Sequence, residues 1–192
     1  MDVIVTKERP VEQEGDLLIS GFFGDERPLK GTAGLLDWRL NGRLSRLLRE
    51  GRLTGEWIER TLIPSQGRIL PQWILLFGLG SVRAYSYFTV RRLAPTLIQT
   101  IGNLKASHIC LSLPYGEAYE VDCGKLAEVL LEGFVDHLDR FPEDRPWMDQ
   151  LSLSFGEGED RFSELLFGVQ TAKSILSHRL PIRLLTPSEP SL

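Results

Sequence analysis

Two short, nearly unbroken apolar runs, Trp73-Ile74-Leu75-Leu76-Phe77 and Ile109-Cys110-Leu111-Ser112-Leu113, constrain this chain most. Each is bounded by glycine, proline or polar residues and reads as a strand covered on both faces. Such strands need helices above and below them, and helical periodicity supplies those helices. Residues 34–50 place Leu36, Leu40, Leu44, Leu47 and Leu48 on one face, with Gly51 as a stop signal. Residues 86–104 carry Val90, Leu93, Leu97, Ile101 and Leu104 as one stripe. Pro95 lies inside that stripe, and because proline lacks the N–H and clashes with the preceding turn, a late start or a kink is expected there. Asp122 caps a helix over 122–139, and a fourth runs over 159–177 with Phe162, Leu165, Leu166, Val169, Ala172 and Leu176 facing inward.

Further strands are expected near 2–6, 16–22, 58–63, 150–155 and 181–185. No helix separates 58–63 from 73–78, so these two are expected to pair antiparallel, which makes the sheet mixed. The fold class is therefore α/β, a three-layer α/β/α sandwich with a mixed central sheet. With 192 residues, 42% hydrophobic, one substantial core accounts for the chain, and a single domain over 1–185 followed by a flexible tail over 186–192 is expected. Trp73, at the head of a central strand, is expected to be buried.

Composition narrows the function classes. No apolar run is long enough to span a bilayer and no basic start leads into an apolar stretch, so a cytoplasmic protein with no membrane partner is expected. Cys110 and Cys123 read as free thiols. His108, His137 and His178 stand far apart with no second ligand at metal-binding spacing, so neither a metal site nor a cofactor is expected. A net charge of −4 argues against nucleic acid as a partner. Charge is nonetheless uneven: Arg39, Arg43 and Arg46 recur at helical spacing opposite the leucine stripe and are the candidate interaction surface, with a solvated helix face as the plainer reading.

Strand exits carry the other candidates. Gly78-Leu79-Gly80-Ser81 follows a strand, but Arg83 replaces the third glycine of a dinucleotide fingerprint, so a tight exit is the simpler account. Open α/β sheets take ligands at such strand ends, which makes Phe23, Gly80 and Tyr115 candidate walls of a small-molecule cleft. Cys123, at a helix start beside Asp122, reads as inert, and Glu117, Glu120 and Asp122 as loop solvation and capping.

Four segments carry a family resemblance: Gly31-Thr32-Ala33-Gly34-Leu35-Leu36-Asp37 with Gly42 downstream; Leu75-Leu76-Phe77-Gly78-Leu79-Gly80; Ile109 to Pro114; and Glu132-Gly133-Phe134 leading to Leu138-Asp139-Arg140-Phe141. Together they resemble the N-terminal, macro-like domain of leucyl aminopeptidases from about Asp16 to Ser177, the second segment matching most specifically. That family's catalytic domain binds two metal ions, and its Asn-Thr-Asp-Ala-Glu-Gly-Arg signature has no counterpart here. The resemblance therefore implies a macro-domain-like fold and a non-catalytic binding or assembly module, acting through a homo-oligomer or a separately encoded catalytic subunit. The more distant resemblance to macro domains implies the alternative, an ADP-ribose or nucleotide-binding domain or hydrolase. Its phosphate cradle would draw on Gly31, Gly34, Gly78, Gly80 and Gly116, although Gly21-Phe22-Phe23-Gly24-Asp25 departs from the Asn-Ala-Asn strand end of macro domains.

Overall fold

A computed structural model describes residues 1–186; most of the expected tail, 187–192, lies outside the described residues. Seven strands form one mixed sheet: β1 (Asp2–Thr6), β2 (Leu17–Phe22), β3 (Arg60–Pro64), β4 (Trp73–Gly78), β5 (His108–Ser112), β6 (Ser152–Gly156) and β7 (Arg183–Leu185). Their order is β3-β4-β2-β5-β6-β1-β7, and every pairing is parallel except β3 with β4. Six helices accompany them: α1 (Gly31–Arg39), α2 (Arg43–Arg49), α3 (Tyr87–Leu104), α4 (Cys123–Arg140), α5 (Arg145–Met148) and α6 (Glu159–Leu176).

Alternation along the strands divides the core in two. Leu17, Ile19, Leu75, Phe77, Ile109, Leu111, Leu153 and Phe155 face α3, α4 and α6 in the larger cluster. Leu18, Phe22, Ile74, Leu76 and Cys110 face α1 and α2 in the smaller one, with Leu36, Leu40 and Leu44. The second face changes character at Ser20, Ser112 and Ser154, where hydroxyls replace apolar side chains on adjacent parallel strands.

Three expectations need correction. The helix expected over 34–50 is two helices, because Asn41 (φ 55°) and Gly42 (φ 72°) take left-handed conformations and the Gly42 N–H bonds the Asp37 carbonyl, which ends α1. Trp73 is 45% exposed, since it is the first residue of β4 and lies at the open end of the strand rather than over a helix. Of the late start and the kink expected at Pro95, the late start does not occur: helix α3 begins at Tyr87 and carries Pro95 in its interior. Proline supplies no N–H to the Arg91 carbonyl four residues back, and a Cβ at Gly133 of α4 would lie 2.7 Å from that oxygen and 2.5 Å from the Ala94 Cβ. Glycine is what lets α4 approach the proline-bearing turn.

Helices α4 and α6 meet more closely still. A Cβ at Gly168 would stand 2.1 Å from the Gly124 carbonyl oxygen, and one at Gly124 2.3 Å from the Glu164 carbonyl oxygen, so the two backbones touch where neither helix has a side chain.

Candidate functional site

All strands but β3 point their carboxyl ends the same way, and a cleft of about 500 Å³ opens there on the α1 face of the sheet. Its floor is Ser20, Gly21 and Ser112; α1 contributes Gly31, Thr32 and Leu35, and the loop after β5 contributes Pro114, Tyr115 and Tyr119. Lys30 and Arg9 stand at its rim, with Lys30 held 3.1 Å from Glu26.

The polar groups of the cleft form a short relay. Ser112 Oγ donates to Glu157 Oε1 at 2.6 Å, and Thr32 Oγ1 lies 2.9 Å from Ser112 Oγ, so Thr32 is left to donate to Ser112. Burial pushes the Glu157 carboxyl up to about 7, against the pull of Ser112 and Tyr115, so the group changes charge near neutral pH. Ser20 Oγ, 1% exposed as a residue, has no hydrogen-bond partner. A buried hydroxyl facing a cleft with nothing to bond costs about 1–3 kcal/mol unless a ligand or water completes it. Helix α1 adds donors, because its N-cap, Lys30, makes no side-chain bond to the first amides, and those N–H groups have no intrahelical acceptor.

Of the sequence candidates, the cleft contains Gly31 and Tyr115, and Gly116 (φ 105°) follows Tyr115 in the same loop. Burial pushes the Tyr115 phenol up to about 12. Phe23 is buried behind the cleft wall, stacked on Tyr119 at 5.1 to 5.3 Å from its two aromatic neighbours, Tyr85 and Tyr119. Gly34 lies outside, where a Cβ would meet the Leu29 carbonyl oxygen at 2.5 Å. Gly78 and Gly80 serve packing elsewhere: a Cβ at Gly78 would fall 2.0 Å from the Glu56 carbonyl oxygen, and Gly80 (φ 74°) bonds Gly55 and Gly24 through its backbone. The glycines expected to share one cradle are therefore dispersed.

Arg39, Arg43 and Arg46 do not form one stripe. Arg39 belongs to α1 and lies 3.9 Å from Glu12, whereas Arg43 and Arg46 on α2 line a separate groove. Ser20, Thr32, Ser112 and Glu157 stand outside the sequence candidates. The signal for two of them is the serine that interrupts each buried run, and these serines are direct register partners across β2 and β5.

Both thiols are buried. Burial pushes Cys110 up to about 12. Burial and then Glu164, which accepts from both the Cys123 thiol (3.1 Å) and its N–H (2.8 Å), raise Cys123 as well. Neither thiol is expected to react with a disulfide reagent at pH 8 within minutes, while both should react in guanidinium; one fast equivalent in the native protein would contradict this assignment. Among the described residues no group of three or more His, Cys, Asp or Glu could hold a metal ion, and no helix is long and apolar enough to cross a membrane.

A family model described as the cytosol aminopeptidase family, N-terminal domain, matches residues 20–143. A probable cytosol aminopeptidase of Cyanothece is 30% identical over 59% of this chain, and the match covers 23% of that relative, so the chain spans about a quarter of its length. Tomato leucine aminopeptidase, as the K354E mutant, superposes with a TM-score of 0.60 and 20% identity over 92% of this chain and 37% of its own. The Trypanosoma brucei macrodomain, solved in complex with ADP, superposes with a TM-score of 0.63 and 14% identity over 87% of this chain and 68% of its own.

Proposed function

The chain belongs to the cytosol aminopeptidase family through its N-terminal domain, and we propose that it is a non-catalytic binding module whose ligand site is the cleft at the strand ends. The observation that carries this reading is Ser20 Oγ, buried and unpartnered on the cleft floor beside the uncapped start of α1. The ligand that suits the cleft bears sugar-like hydroxyls for Ser20, Ser112 and Glu157, and a compact anionic group for the α1 amides, Lys30 and Arg9. A nucleoside phosphate of the ADP-ribose type has both, and the Trypanosoma brucei macrodomain with ADP supports the class. Glu157 sets the condition: protonated, it donates to such a ligand; ionised, it repels the anion by about 1–4 kcal/mol.

Calorimetry with ADP-ribose should therefore show binding about tenfold tighter at pH 6 than at pH 8.5. E157Q should bind equally at both pH values. Absence of heat and of any thermal shift at either pH overturns the reading.

Assembly is the second reading, as a homo-oligomer or by docking to a catalytic portion of the aminopeptidase type. It is favoured by large apolar side chains left in solvent, Trp38 and Phe167 at 72% exposure and Phe88 at 68%. Light scattering that finds a monomer at high micromolar concentration excludes the self-association part. A cytoplasmic location accords with relatives that are probable cytosol aminopeptidases and is part of the same proposal.

A further inference from the structure

A groove of about 630 Å³ lies between α2 and β3, at the edge of the smaller core, with Leu40 and Ile63 among its lining residues. Four arginines line it: Arg43 and Arg46 from α2, Arg52 from the loop that follows, and Arg68 from the hairpin turn between β3 and β4. One carboxylate, Glu50, shares the groove, 3.8 Å from Arg52. On a protein of net charge −4 this is a strong local excess of positive charge. Arg43 Nη1 is moreover buried and makes no hydrogen bond. A guanidinium nitrogen in that state favours an acceptor, and a carboxylate accepts from it in a forked geometry.

The groove also has a backbone wall and an apolar floor. Among the described residues, strand β3 is the sheet's edge and pairs only with β4. The Gly78 N–H bonds the Glu59 carbonyl at 2.8 Å and the Ser65 N–H bonds the Gln72 carbonyl at 3.0 Å. Alternation between those points turns the N–H and C=O of Leu62 away from the sheet. Pro64 has no N–H and limits the pairing available to a short stretch. Ile63, on the α2 face of the sheet, supplies the apolar floor with Leu40 and Leu47, while Leu62, opposite Leu75, turns its side chain to the α3 face and offers the groove its backbone. No aromatic side chain lines the groove, so it lacks the stacking platform that single-stranded nucleic acid uses.

We propose that the groove between α2 and the edge of β3 binds an extended acidic segment of a protein partner, whose carboxylates pair with the four arginines and whose backbone bonds Leu62. The site is separate from the strand-end cleft and stands whether or not the cleft binds a nucleotide. The test is fluorescence anisotropy with a short fluorescein-labelled peptide of alternating glutamate and valine, compared with its lysine counterpart and with single-stranded DNA. The acidic peptide should bind, weaken at high salt, and lose at least tenfold in affinity with the R46E/R68E double variant, whose melting temperature should match the parent. Exposed substitutions of this kind usually change stability by no more than about 0.5 kcal/mol each. No anisotropy change up to millimolar protein, equal binding of the acidic peptide by the double variant, or DNA binding as tight as the peptide's would each overturn the proposal. ADP-ribose binding, measured on the same double variant, should be unchanged, so failure of the groove and failure of the cleft are read separately.

Discussion

Replacing Glu157 by glutamine is expected to stabilise the protein at pH 8 and to leave it nearly unchanged at pH 4.5. Burial raises the carboxyl to about 7 in the folded chain, above the ordinary glutamate value near 4.5. The folded state therefore binds more protons than the unfolded state between those values, and stability from this group falls as pH rises through that window. Above pH 7 the full cost of holding a carboxylate in the cleft wall is present. At 1.36 kcal/mol per pKa unit, discounted for the partial exposure of the side chain, the cost is about 2–3 kcal/mol. Glutamine keeps an acceptor for the Ser112 hydroxyl, a contact of 2.6 Å in the parent, and carries no charge at any pH. The double comparison, variant against parent at pH 8 and again at pH 4.5, cancels every other titrating group. A melting-temperature gain of about 4–10 °C that appears only at pH 8 is the expected outcome for a chain of this size. The same difference at both pH values would show that Glu157 is not held in its neutral form.

Gly168→Ala is expected to destabilise the protein by at least 3 kcal/mol, although helix propensity alone points the other way. Alanine is favoured over glycine by about 1 kcal/mol in a helix interior, and Gly168 lies in the middle of α6. Packing decides the sign. The added methyl would sit 2.1 Å from the Gly124 carbonyl oxygen, 2.4 Å from its carbon and 2.6 Å from its Cα. All three are backbone atoms of α4, so no side chain can swing aside; α4 and α6 must separate along the flank of the larger core. Overpacking of a rigid core costs about 1–3 kcal/mol even where side chains can adjust. Chemical denaturation should show the loss as a lower midpoint with an unchanged slope. Alanine at Gln170, an exposed position of the same helix, is the control and should be neutral to within about 0.5 kcal/mol. A stabilised G168A would mean the two helices do not approach as described.

Periodicity marked the elements closely because burial imposes it. Trp73-Ile74-Leu75-Leu76-Phe77 is a strand, the antiparallel pairing of β3 with β4 follows from the missing helix between them, and α3, α4 and α6 lie within a residue or two of their leucine and valine stripes. The break at Asn41 and Gly42 was less legible. Leu36, Leu40 and Leu44 keep one apolar face across it, so the stripe continues although the helix does not. Register 34–50 reads as helix on side chains alone, while left-handed backbone at two residues ends it.

By itself, then, the sequence determined which segments are strand, which carry a helical apolar stripe and which family the four segments resemble, since those depend on neighbours within a few positions. The tertiary structure decided what meets what. Ser20 and Ser112, 92 positions apart in the numbering, become partners in adjacent strands, and Glu157 reaches Ser112 only because β6 lies beside β5. It also separated residues the sequence places together: Gly31 lines the cleft while Gly34 supports the Leu29 carbonyl, and Arg39 turns to Glu12 while Arg43 and Arg46 face β3. Local pattern reports which face of an element is buried, whereas a binding site is assembled from strand order and helix direction, and these are set by contacts between segments distant in the chain.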